Sequence, residues 1–484
     1  AFDAKMDELT QKSLRLFRAE LATRYHWRNN RRCFEKNDFR RNSAEFTREY
    51  PVVLSTTYSI KGTLSIEHIY DYLIVDEASQ VDLATGVLAF SCARNIVIVG
   101  DLKQLPNVLT ADDIRTSDAI WQKYSLDERY RFSTHSLLSS ALEIWQDAPA
   151  TLLREHYRCH PKIINFCNQR FYGGRLLIMT EDHGEPDVIM AWRTAPGHHA
   201  RGAFNPREIE TIRREVLPSL PCEQTEIGII SPYNEQVNAL HRELGGGVDV
   251  ATVHKFQGRE KEAIILSTVD DQITAFTDDP NLLNVAVSRA KRQFTLVTSS
   301  NEQPDSRNIA DLLAYIDYNG GMITESAIHS VFDLLYEPYA EARREFLKRH
   351  RRISEFDSEN LTYALLERVL AADPALRHLG VLCHQPLRQL IRDWALLDDE
   401  ERRYASNGAT HLDFLIYNRV SKRPVLAVET DGYQFHKQGT RQSERDRMKD
   451  HILDRYSLPL LRLSTTGTDE EAKIHTQVTE LLQR

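Results

Sequence analysis

Short apolar runs recur along residues 51–300, and each is followed by a polar turn and a longer stretch that can form a helix. The runs are Val52–Leu54, Tyr72–Val75, Ile96–Val99, Ile227–Ile230, Ala263–Leu266 and Phe294–Val297. Buried strands of this length that alternate with helices are typical of a parallel sheet covered on both faces. In such sheets ligands bind beyond the carboxyl ends of the strands, so the polar residues after each run are the candidates for function.

The same pattern divides the chain into five segments. Residues 1–50 are charged and predict a solvated helical arm, with nucleic-acid contact as the alternative. Residues 51–148 and 149–300 predict two successive α/β blocks, and residues 301–345 predict a helical connector with a break at Gly320-Gly321. Residues 346–484 predict a third block with one helix and three strands, at Leu361–Leu370, Leu412–Tyr417, Pro424–Glu429 and near Leu458–Leu463.

The composition narrows the class of protein. A length of 484 residues suits about three domains, and a hydrophobic fraction of 41% can fill several cores. The net charge of −9 argues against a protein whose whole surface binds nucleic-acid phosphates, but it allows a local basic groove. The six cysteines form no CxxC pair, so we expect reduced thiols. No run approaches the roughly 20 apolar residues of a membrane span, and no signal peptide is recognisable, so we expect a cytoplasmic protein without membrane contact.

In the first α/β block, two adjacent carboxylates follow a predicted strand. Asp76 and Glu77 come directly after Tyr72–Val75. One carboxylate at such a position can hold a nucleotide-bound Mg²⁺ while the next orients the attacking water. An acidic helix N-cap is the alternative, but it would explain only one of the two acids. Polar residues also follow the next strand, and Gly100, Asp101 and Gln104 form a loop suited to sensing a nucleotide phosphate.

The second block carries positive charge at both of its ends. Tyr157 and Arg158 open the block, and Arg289 and Lys291 precede its last strand. An arginine in either place can neutralise charge in a phosphoryl-transfer transition state. Between them, one loop before a strand holds Thr252, His254, Gln257, Gly258 and Glu260. A structural role is the alternative for His254, which lies close to a Gln-Gly turn.

These motifs, in this order, resemble those of superfamily 1 helicases, and most closely the 5′-to-3′ branch. The resemblance implies two RecA-like parallel-sheet domains that use ATP and Mg²⁺. It makes Asp76 and Glu77 the Walker B pair, and Arg158 and Arg289 the arginine fingers. The nucleotide contacts that we assign are Gly100, Asp101, Gln104, Tyr157, Gln257, Gly258, Glu260 and Lys291. The nucleic-acid contacts that we assign are Thr56, Thr57, Pro232, Tyr233, Thr252 and His254.

One departure from the family pattern concerns the phosphate-binding loop. The family motif is G-x-x-x-x-G-K-[ST], whose backbone amides and lysine surround the phosphates. The sequence contains no Gly-Lys dipeptide, and its first glycine is Gly62. We therefore expect an incomplete first RecA-like domain, with the P-loop supplied by another segment or a subunit.

The third block carries three acidic residues on two predicted strands. Asp413 lies on the first strand, and Glu429 and Asp431 end the second. Residues two apart on a strand project from one face, so these three carboxylates can converge on one point. Clustered carboxylates usually bind a divalent metal, Mg²⁺ or Mn²⁺, which supports phosphodiester hydrolysis.

This pattern resembles PD-(D/E)xK nucleases, in particular the branch with the very-short-patch repair endonuclease. Asp431, Gly432 and His436 match an acidic-Gly-x-x-His element of that branch, and Glu367 matches its helical glutamate. The resemblance implies a restriction-endonuclease-like α/β domain with catalytic roles for Asp413, Glu429, Asp431, His436 and Glu367.

Asp431 stands where many members of that nuclease family have a lysine. Lys437 or Lys449 could replace the lysine, or His436 could take an acid-base role. A solvent-facing acidic hairpin, a degenerate nuclease fold that only binds, and an unrelated α/β domain are the alternatives for the block.

Together these patterns predict part of an ATP-dependent DNA helicase-nuclease. Its partner would be single-stranded or forked DNA, with RNA as the alternative. By fold-level analogy such a protein suits DNA repair or defence against phage. The alternatives are a non-catalytic nucleic-acid-binding scaffold and an RNA helicase fragment that needs a partner to complete its ATP site.

Overall fold

In the computed structural model, which describes residues 2–25, 33–303, 306–432 and 441–483, the chain folds as two units, Ala1–Thr151 and Leu152–Arg484. The first unit contains two parallel strands, β1 (Tyr70–Val75) and β2 (Ala93–Ile98). Its helices are α1 (Phe2–Tyr25), α2 (Lys36–Arg41), α3 (Ser43–Glu49), α4 (Ile60–Thr63), α5 (Leu83–Phe90), α6 (Ala111–Lys123) and α7 (Leu137–Ile144).

The core of the first unit is small. Val75 and Ala78 pack against Leu137 and Leu138 of α7, while Tyr72 and Ile74 of β1 stay exposed. The run Val52–Leu54, predicted as a strand, has no regular secondary structure, and Val52 and Leu54 are 77% and 93% exposed. The prediction was wrong because the backbone N–H and C=O groups of a strand need hydrogen-bond partners on a neighbouring strand. Among the described residues of the first unit, the sheet contains only β1 and β2, and neither pairs with Val52–Leu54.

The second unit contains a six-stranded sheet in which every pairing is parallel. Its strands are β5 (Ile189–Thr194), β6 (Ile227–Ser231), β7 (Asp249–Thr252), β8 (Lys261–Ser267), β9 (Ala290–Ser299) and β10 (Ile323–Glu325), in the order β10-β5-β9-β8-β6-β7. Two short strands, β3 (Glu155–His156) and β4 (Leu177–Ile178), pair separately. The α/β fold with a parallel sheet is confirmed and suits a RecA-like domain.

Helices connect the strands of this sheet. They are α8 (Pro161–Phe171), α9 (Pro206–Thr211), α10 (Leu217–Ser219), α11 (Asn234–Leu244), α12 (Val253–Phe256), α13 (Pro280–Val287) and α14 (Asn308–Tyr318), with a π-helical turn, Ile212–Val216, between α9 and α10. Capping side chains set their starts: Asn205 accepts from the amides of Arg207 and Glu208 before α9, and Asp279 caps α13 in the same way.

The predicted helical connector contributes to this sheet. α14 and β10 lie within it, and β10 pairs with β5 in parallel. Gly320 has a φ of 68°, and a Cβ on Gly321 would lie 2.3 Å from the carbonyl oxygen of Ile189. The two glycines thus form a tight turn against a neighbouring strand. Beyond it lie short 3-10 turns, Val331–Leu335 and Glu337–Tyr339, and then α15 (Ala340–Arg349).

The C-terminal block has a mixed four-stranded sheet in the order β11-β12-β13-β14. The first two pairings are antiparallel and the last is parallel. Its strands are β11 (Leu379–Pro386), β12 (His411–Asn418), β13 (Pro424–Asp431) and β14 (Leu460–Ser464). Its helices are α16 (Asp357–Ala372), α17 (Asp399–Ser406), α18 (Arg441–Arg455) and α19 (Glu470–Gln483).

Two apolar clusters cover this sheet. Phe414 and Val428 pack with Leu366 of α16 and Ile474 of α19, and Ala427 packs with Ile452 of α18 and other residues. In the part of the chain described here, no helix combines the length and apolar character needed to cross a bilayer.

Candidate functional site

The Walker B candidates lie in the turn that follows β1. The amide of Glu77 donates to Asp76 Oδ1 at 2.8 Å, and Gln80 Nε2 donates to Glu77 Oε2 at 3.2 Å. Glu77 has a φ of 50°, a left-handed conformation that is uncommon for a non-glycine residue. Neither acid caps a helix, because Asp82 is the N-cap of α5. The geometry leaves both carboxylates at the carboxyl end of a strand.

The loop after β2 lies against this turn. The amide of Ala78 donates to the carbonyl of Val99 at 2.9 Å. A Cβ on Gly100 would lie 3.0 Å from the Ala78 nitrogen, so the approach requires glycine. Asp101 accepts a hydrogen bond from Gln104 Nε2 at 3.3 Å, while Gln104 Oε1 is buried and has no hydrogen-bond partner among the described residues. The amide oxygen is therefore available to a donor from a ligand.

The predicted nucleic-acid contacts of the first unit occupy a turn before α4. Thr56 Oγ1 accepts from the amide of Ser59 at 3.2 Å. Thr56 is exposed and Thr57 is half-buried. The structure thus gives Thr56 a local structural role in the turn.

The second unit brings four predicted site residues into one charged cluster. Arg158 Nε lies 2.6 Å from Glu260 Oε2, and Lys291 Nζ lies 3.1 Å from Glu260 Oε1. Arg289 is buried, and its Nε and Nη2 donate to Val285 O and Ser288 Oγ. Arg158 follows β3, Glu260 directly precedes β8, and Arg289 and Lys291 lie at the start of β9, so motifs that are distant in the sequence meet in the fold.

The cluster changes the pKa values of its neighbours. Burial raises the pKa of Glu260, but the hydrogen bond from Lys291 and the nearby positive charges outweigh it and lower the pKa overall. Burial, together with Arg158 and Arg289, lowers the pKa of His156 to about 4. His156 is therefore neutral at pH 7 and adds no charge of its own.

The remaining nucleotide-contact candidates of this unit lie close by in the chain. Tyr157 is exposed, and its hydroxyl donates to the carboxylate of Glu155. Gln257 Nε2 is buried without a partner among the described residues, and Gly258 has a φ of 77° that favours glycine. Sequence reasoning missed Glu262, which lies 3.6 Å from Lys291 and 3.1 Å from Arg292.

The nucleic-acid candidates of the second unit lie at the ends of β6 and β7. The Tyr233 hydroxyl donates to Asp270 Oδ1 at 3.0 Å, and Pro232 and Thr252 are buried. Partial burial of its ring lowers the pKa of His254. Only Tyr233 and His254 of this set reach the surface.

A histidine and two acids near α8 form a hydrogen-bonded network. His160 Nε2 lies 3.3 Å from Glu185 and 3.5 Å from Asp182, and these ligand atoms are close enough to hold a metal ion. The amide of Lys162 donates to His160 Nδ1 at 3.1 Å, however. That bond leaves the ring proton on Nε2, pointing at the carboxylates. The arrangement therefore favours hydrogen bonds over metal ligation.

In the C-terminal block, Asp413 and Glu429 lie next to each other on β12 and β13. Thr430 N donates to Asp413 Oδ2 at 2.9 Å, and Asp413 N donates to Glu429 Oε1 at 3.3 Å. Lys449 of α18 donates to Glu429 Oε2 at 2.6 Å and to the carbonyl of His411 at 3.0 Å. The structure thus assembles two carboxylates and a lysine.

Burial raises the pKa of Glu429 to about 7, although Lys449 opposes the shift. The Asp413 charge adds to it. A bound divalent cation would offset both the burial of the Glu429 charge and its repulsion by Asp413.

Asp431 does not join Asp413 and Glu429. Its Oδ1 accepts from Arg462 Nη1 at 3.0 Å, and Arg462 also contacts Asp450 at 2.7 Å. Arg462 lies on β14, whose parallel register places it beside β13. The expected convergence of three carboxylates is therefore replaced by two carboxylates and a separate ion pair.

Two further nuclease candidates are Glu367 on α16 and His436. Glu367 accepts from the Tyr363 hydroxyl at 2.8 Å. His436 and Lys437 lie outside the described residues. Lys449, one of two substitutes considered from the sequence, contacts Glu429, because α18 packs across this face of the sheet.

Three segments of the chain match models of known protein families. AAA domain models match residues 4–112 and 133–301, and a model described as a protein of unknown function (DUF2726) matches residues 356–481. The DNA replication ATP-dependent helicase/nuclease DNA2 of Gallus gallus is 29% identical over 275 residues, which cover 52% of this chain and 25% of the relative. The DNA polymerase alpha-associated DNA helicase A of Saccharomyces cerevisiae is 27% identical over 272 residues, covering 47% and 38%.

Among solved structures, Arterivirus nonstructural protein 10 (helicase) is 14% identical, with 54% of this chain and 51% of that chain covered and a TM-score of 0.28. The chain spans less than half the length of the two curated relatives named above. Residues 4–112 and 133–301 thus match AAA domain models, and the curated relatives that share sequence with this chain are described as ATP-dependent or DNA helicases.

Proposed function

We propose that the chain is the motor portion of an ATP-dependent superfamily 1 DNA helicase, joined to a metal-dependent nuclease domain. The observation that carries the motor assignment is the cluster of Arg158, Glu260, Arg289 and Lys291 in the second unit. Three positive groups around one carboxylate suit the binding of a nucleotide's phosphates and ribose. In this proposal Arg158 and Arg289 stabilise the charge that develops during phosphoryl transfer.

The first unit would contribute the hydrolytic groups. Asp76 would hold the nucleotide's Mg²⁺, which neutralises phosphate charge when bound, and Glu77 would orient the attacking water. Gln104 is suited to sense the γ-phosphate by donating a hydrogen bond from Nε2, while its buried Oε1, which has no hydrogen-bond partner among the described residues, can accept from the attacking water.

The P-loop of this motor would come from another segment or subunit, because residues 1–484 contain no Gly-Lys dipeptide. The two-stranded sheet of the first unit supports this view. Tyr72 and Ile74 of β1 and Val97 of β2 are exposed, and exposed apolar strand faces favour a covering partner. We propose that the partner packs on this sheet.

The nuclease is a second candidate function, and the contact of Lys449 with Glu429 beside Asp413 favours it. Carboxylate oxygens on neighbouring strands are ligands that Mg²⁺ and Mn²⁺ accept. When bound, such an ion activates water and stabilises the leaving oxygen of a phosphodiester. Asp413 and Glu429 would hold the ion, and Lys449 keeps the Glu429 carboxylate in place and supplies positive charge. This block also favours DNA over RNA as the substrate.

One experiment with two variants tests both assignments. ATP hydrolysis and cleavage of labelled single-stranded DNA, duplex DNA and RNA, with Mg²⁺ or Mn²⁺, are measured on the native assembly that contains the full chain. Glu77→Gln should lower ATP hydrolysis by at least about 100-fold and leave cleavage unchanged, because it removes only the water-orienting carboxylate. Asp413→Ala should abolish cleavage and leave ATP hydrolysis unchanged.

Asp112→Asn is the matched control, since Asp112 is an exposed acid on α6 paired with Arg115. ATP hydrolysis that survives Glu77→Gln would support the non-catalytic scaffold. Cleavage that survives Asp413→Ala would contradict the nuclease site, and cleavage of RNA alone would favour the RNA helicase fragment. If either variant removed both activities at native stability, two independent sites would be the wrong picture.

A further inference from the structure

Three neighbouring strands of the second unit carry surface residues suited to nucleic acid at their carboxyl ends. β8, β6 and β7 are adjacent and parallel, so their ends meet at one edge of the sheet. Tyr233 follows β6, His254 and Lys255 lie on α12 after β7, and Phe276 lies in the loop after β8. Ligands of parallel sheets bind at this edge.

Phe276 is a half-exposed aromatic residue in a well-anchored loop. It is 50% exposed, while Ile273 and Thr277 of the same loop are buried. Its ring lies 5.4 Å from that of Tyr233, at an interplanar angle of 56°. The loop therefore presents one aromatic face outward next to a second aromatic ring.

A single carboxylate holds this aromatic pair in position. Asp270 Oδ2 accepts from Thr274 N, Thr274 Oγ1 and Thr277 Oγ1 at 3.1, 2.8 and 2.7 Å, and its Oδ1 accepts from the Tyr233 hydroxyl at 3.0 Å. One side chain thus ties the loop of Phe276 to the loop of Tyr233. A platform fixed in this way loses little conformational entropy when it binds a ligand.

Positive charge lies along the same edge. Lys255 is exposed on α12 and supplies this charge, whereas the lowered pKa of its exposed neighbour His254 leaves that imidazole neutral at pH 7. The charge of Asp279 acts on His254, so α12 lies beside the end of the Phe276 loop. Aromatic faces next to basic groups form the combination that binds single strands, because bases stack on the rings while phosphates follow the charge.

We propose that Phe276 is a base-stacking residue for single-stranded nucleic acid, with Tyr233 as its supporting ring and Asp270 as the positioning residue. The inference rests on the proposed nucleic-acid function and names the form of the substrate, an unpaired base. Duplex bases are stacked on each other and do not offer this face. Stacking tolerates every base, so the contact adds affinity without sequence preference.

The test is equilibrium binding of the full chain to fluorescent oligonucleotides by anisotropy. Phe276→Leu keeps apolar volume and removes the π face, so it should weaken binding to oligo(dT) by about tenfold. Phe276→Trp should restore it. An abasic oligonucleotide should bind the wild type and Phe276→Leu equally, and uridine and thymidine oligomers compare RNA with DNA. Tyr318→Leu, at an aromatic residue of α14 that is 89% exposed, is the matched control and should bind as the wild type does.

The possible results distinguish a failure of the stacking role of Phe276 from a failure of the proposed nucleic-acid binding. A wild type that binds no oligonucleotide would overturn both. Normal binding by Phe276→Leu would overturn only the stacking role, as would equal losses of affinity for abasic and normal strands. Unchanged thermal unfolding of Phe276→Leu shows that a loss of affinity does not come from a loss of fold.

Discussion

Glu208 carries a buried carboxyl group beneath the end of β8. Its oxygens accept from Ser267 Oγ and Thr268 Oγ1 at 2.5 and 3.1 Å, and both accept from the amide of Val269 at 3.0 Å. Val269 is a β-branched residue with a φ of 74°, a strained conformation that these bonds hold in place. Burial raises the pKa of Glu208 to about 8, although the hydrogen bonds oppose the shift.

This shift predicts a loss of stability as the pH rises. The folded protein holds the Glu208 proton more tightly than the unfolded chain, whose reference pKa is 4.5. The stabilisation is therefore complete below pH 4.5 and is lost as the pH rises through about 8. Glu208→Gln removes the proton exchange, so the difference in unfolding free energy between wild type and variant should change by on the order of 1 kcal/mol per pH unit in this window.

Denaturant unfolding of both proteins at pH 5, 6, 7 and 8 measures this difference. Curves of stability against pH that run parallel for wild type and variant would show that Glu208 does not exchange a proton between the folded and unfolded states in this range.

At the residue scale, the sequence correctly predicted where acidic residues lie relative to the ends of strands. Asp76 and Glu77 lie where the pattern predicted, and Asp413 and Glu429 meet on neighbouring strands. Phe276 and Lys449 come from a loop and a helix, and their importance depends on which element they pack against. The pattern of residues along the chain does not show which elements pack together. For the same reason it did not predict that Arg462 pairs with Asp431, which therefore does not join Asp413 and Glu429.

At the element scale, the absence of a side chain at Gly321 allows the edge strand β10 to pair closely with β5. A Cβ there would lie 2.3 Å from Ile189 O on β5 and 2.9 Å from Ile316 Cγ2 on α14. Gly321→Ala should therefore push β10 away from β5 and lower the free energy of unfolding by about 1–3 kcal/mol. Gly246→Ala is the control, because a Cβ at Gly246 meets nothing within 4 Å.

Chemical unfolding of the two glycine variants measures the effect. Gly246→Ala should stay within about 0.5 kcal/mol of the wild type. Equal stability of the two variants would mean that the sheet edge shifts freely and that the close approach is not needed.

The sequence correctly predicted strands in both parallel and antiparallel pairs, including β1, β12 and β13. β6, β8 and β9 appear where the runs Ile227–Ile230, Ala263–Leu266 and Phe294–Val297 placed them. β11 was missed because it lies at a sheet edge, where only β12 pairs with it and its side chains are less buried. β10 was missed because its three residues are too short to show a pattern.

At the scale of the whole second unit, one short turn joins the AAA region to the C-terminal block. Phe332 of the turn Val331–Leu335 lies in the same core as Phe414 of β12. Asp333, the next residue, accepts from Arg207 of α9 at 3.0 and 2.8 Å, and the side chains of Asp333 and Arg207 are only 6% and 3% exposed. The turn therefore belongs to both blocks.

Asp333→Ala should lower the free energy of unfolding by about 3–5 kcal/mol, because it leaves the Arg207 guanidinium buried without its charge partner. Arg214→Ala is the matched control. Arg214 pairs with Asp469 across the same two blocks, but that pair is partly exposed, so its loss should cost at most about 1 kcal/mol. Urea unfolding with probes in each block measures both effects.

A third variant separates the charge from the packing. Replacing both partners, as Arg207→Met with Asp333→Leu, removes the buried charges together and should recover most of the stability lost in Asp333→Ala. If the double variant stays as unstable as Asp333→Ala, the geometry of the paired hydrogen bonds holds the blocks together. If Asp333→Ala is no less stable than Arg214→Ala, the turn is not the joint between the AAA region and the C-terminal block.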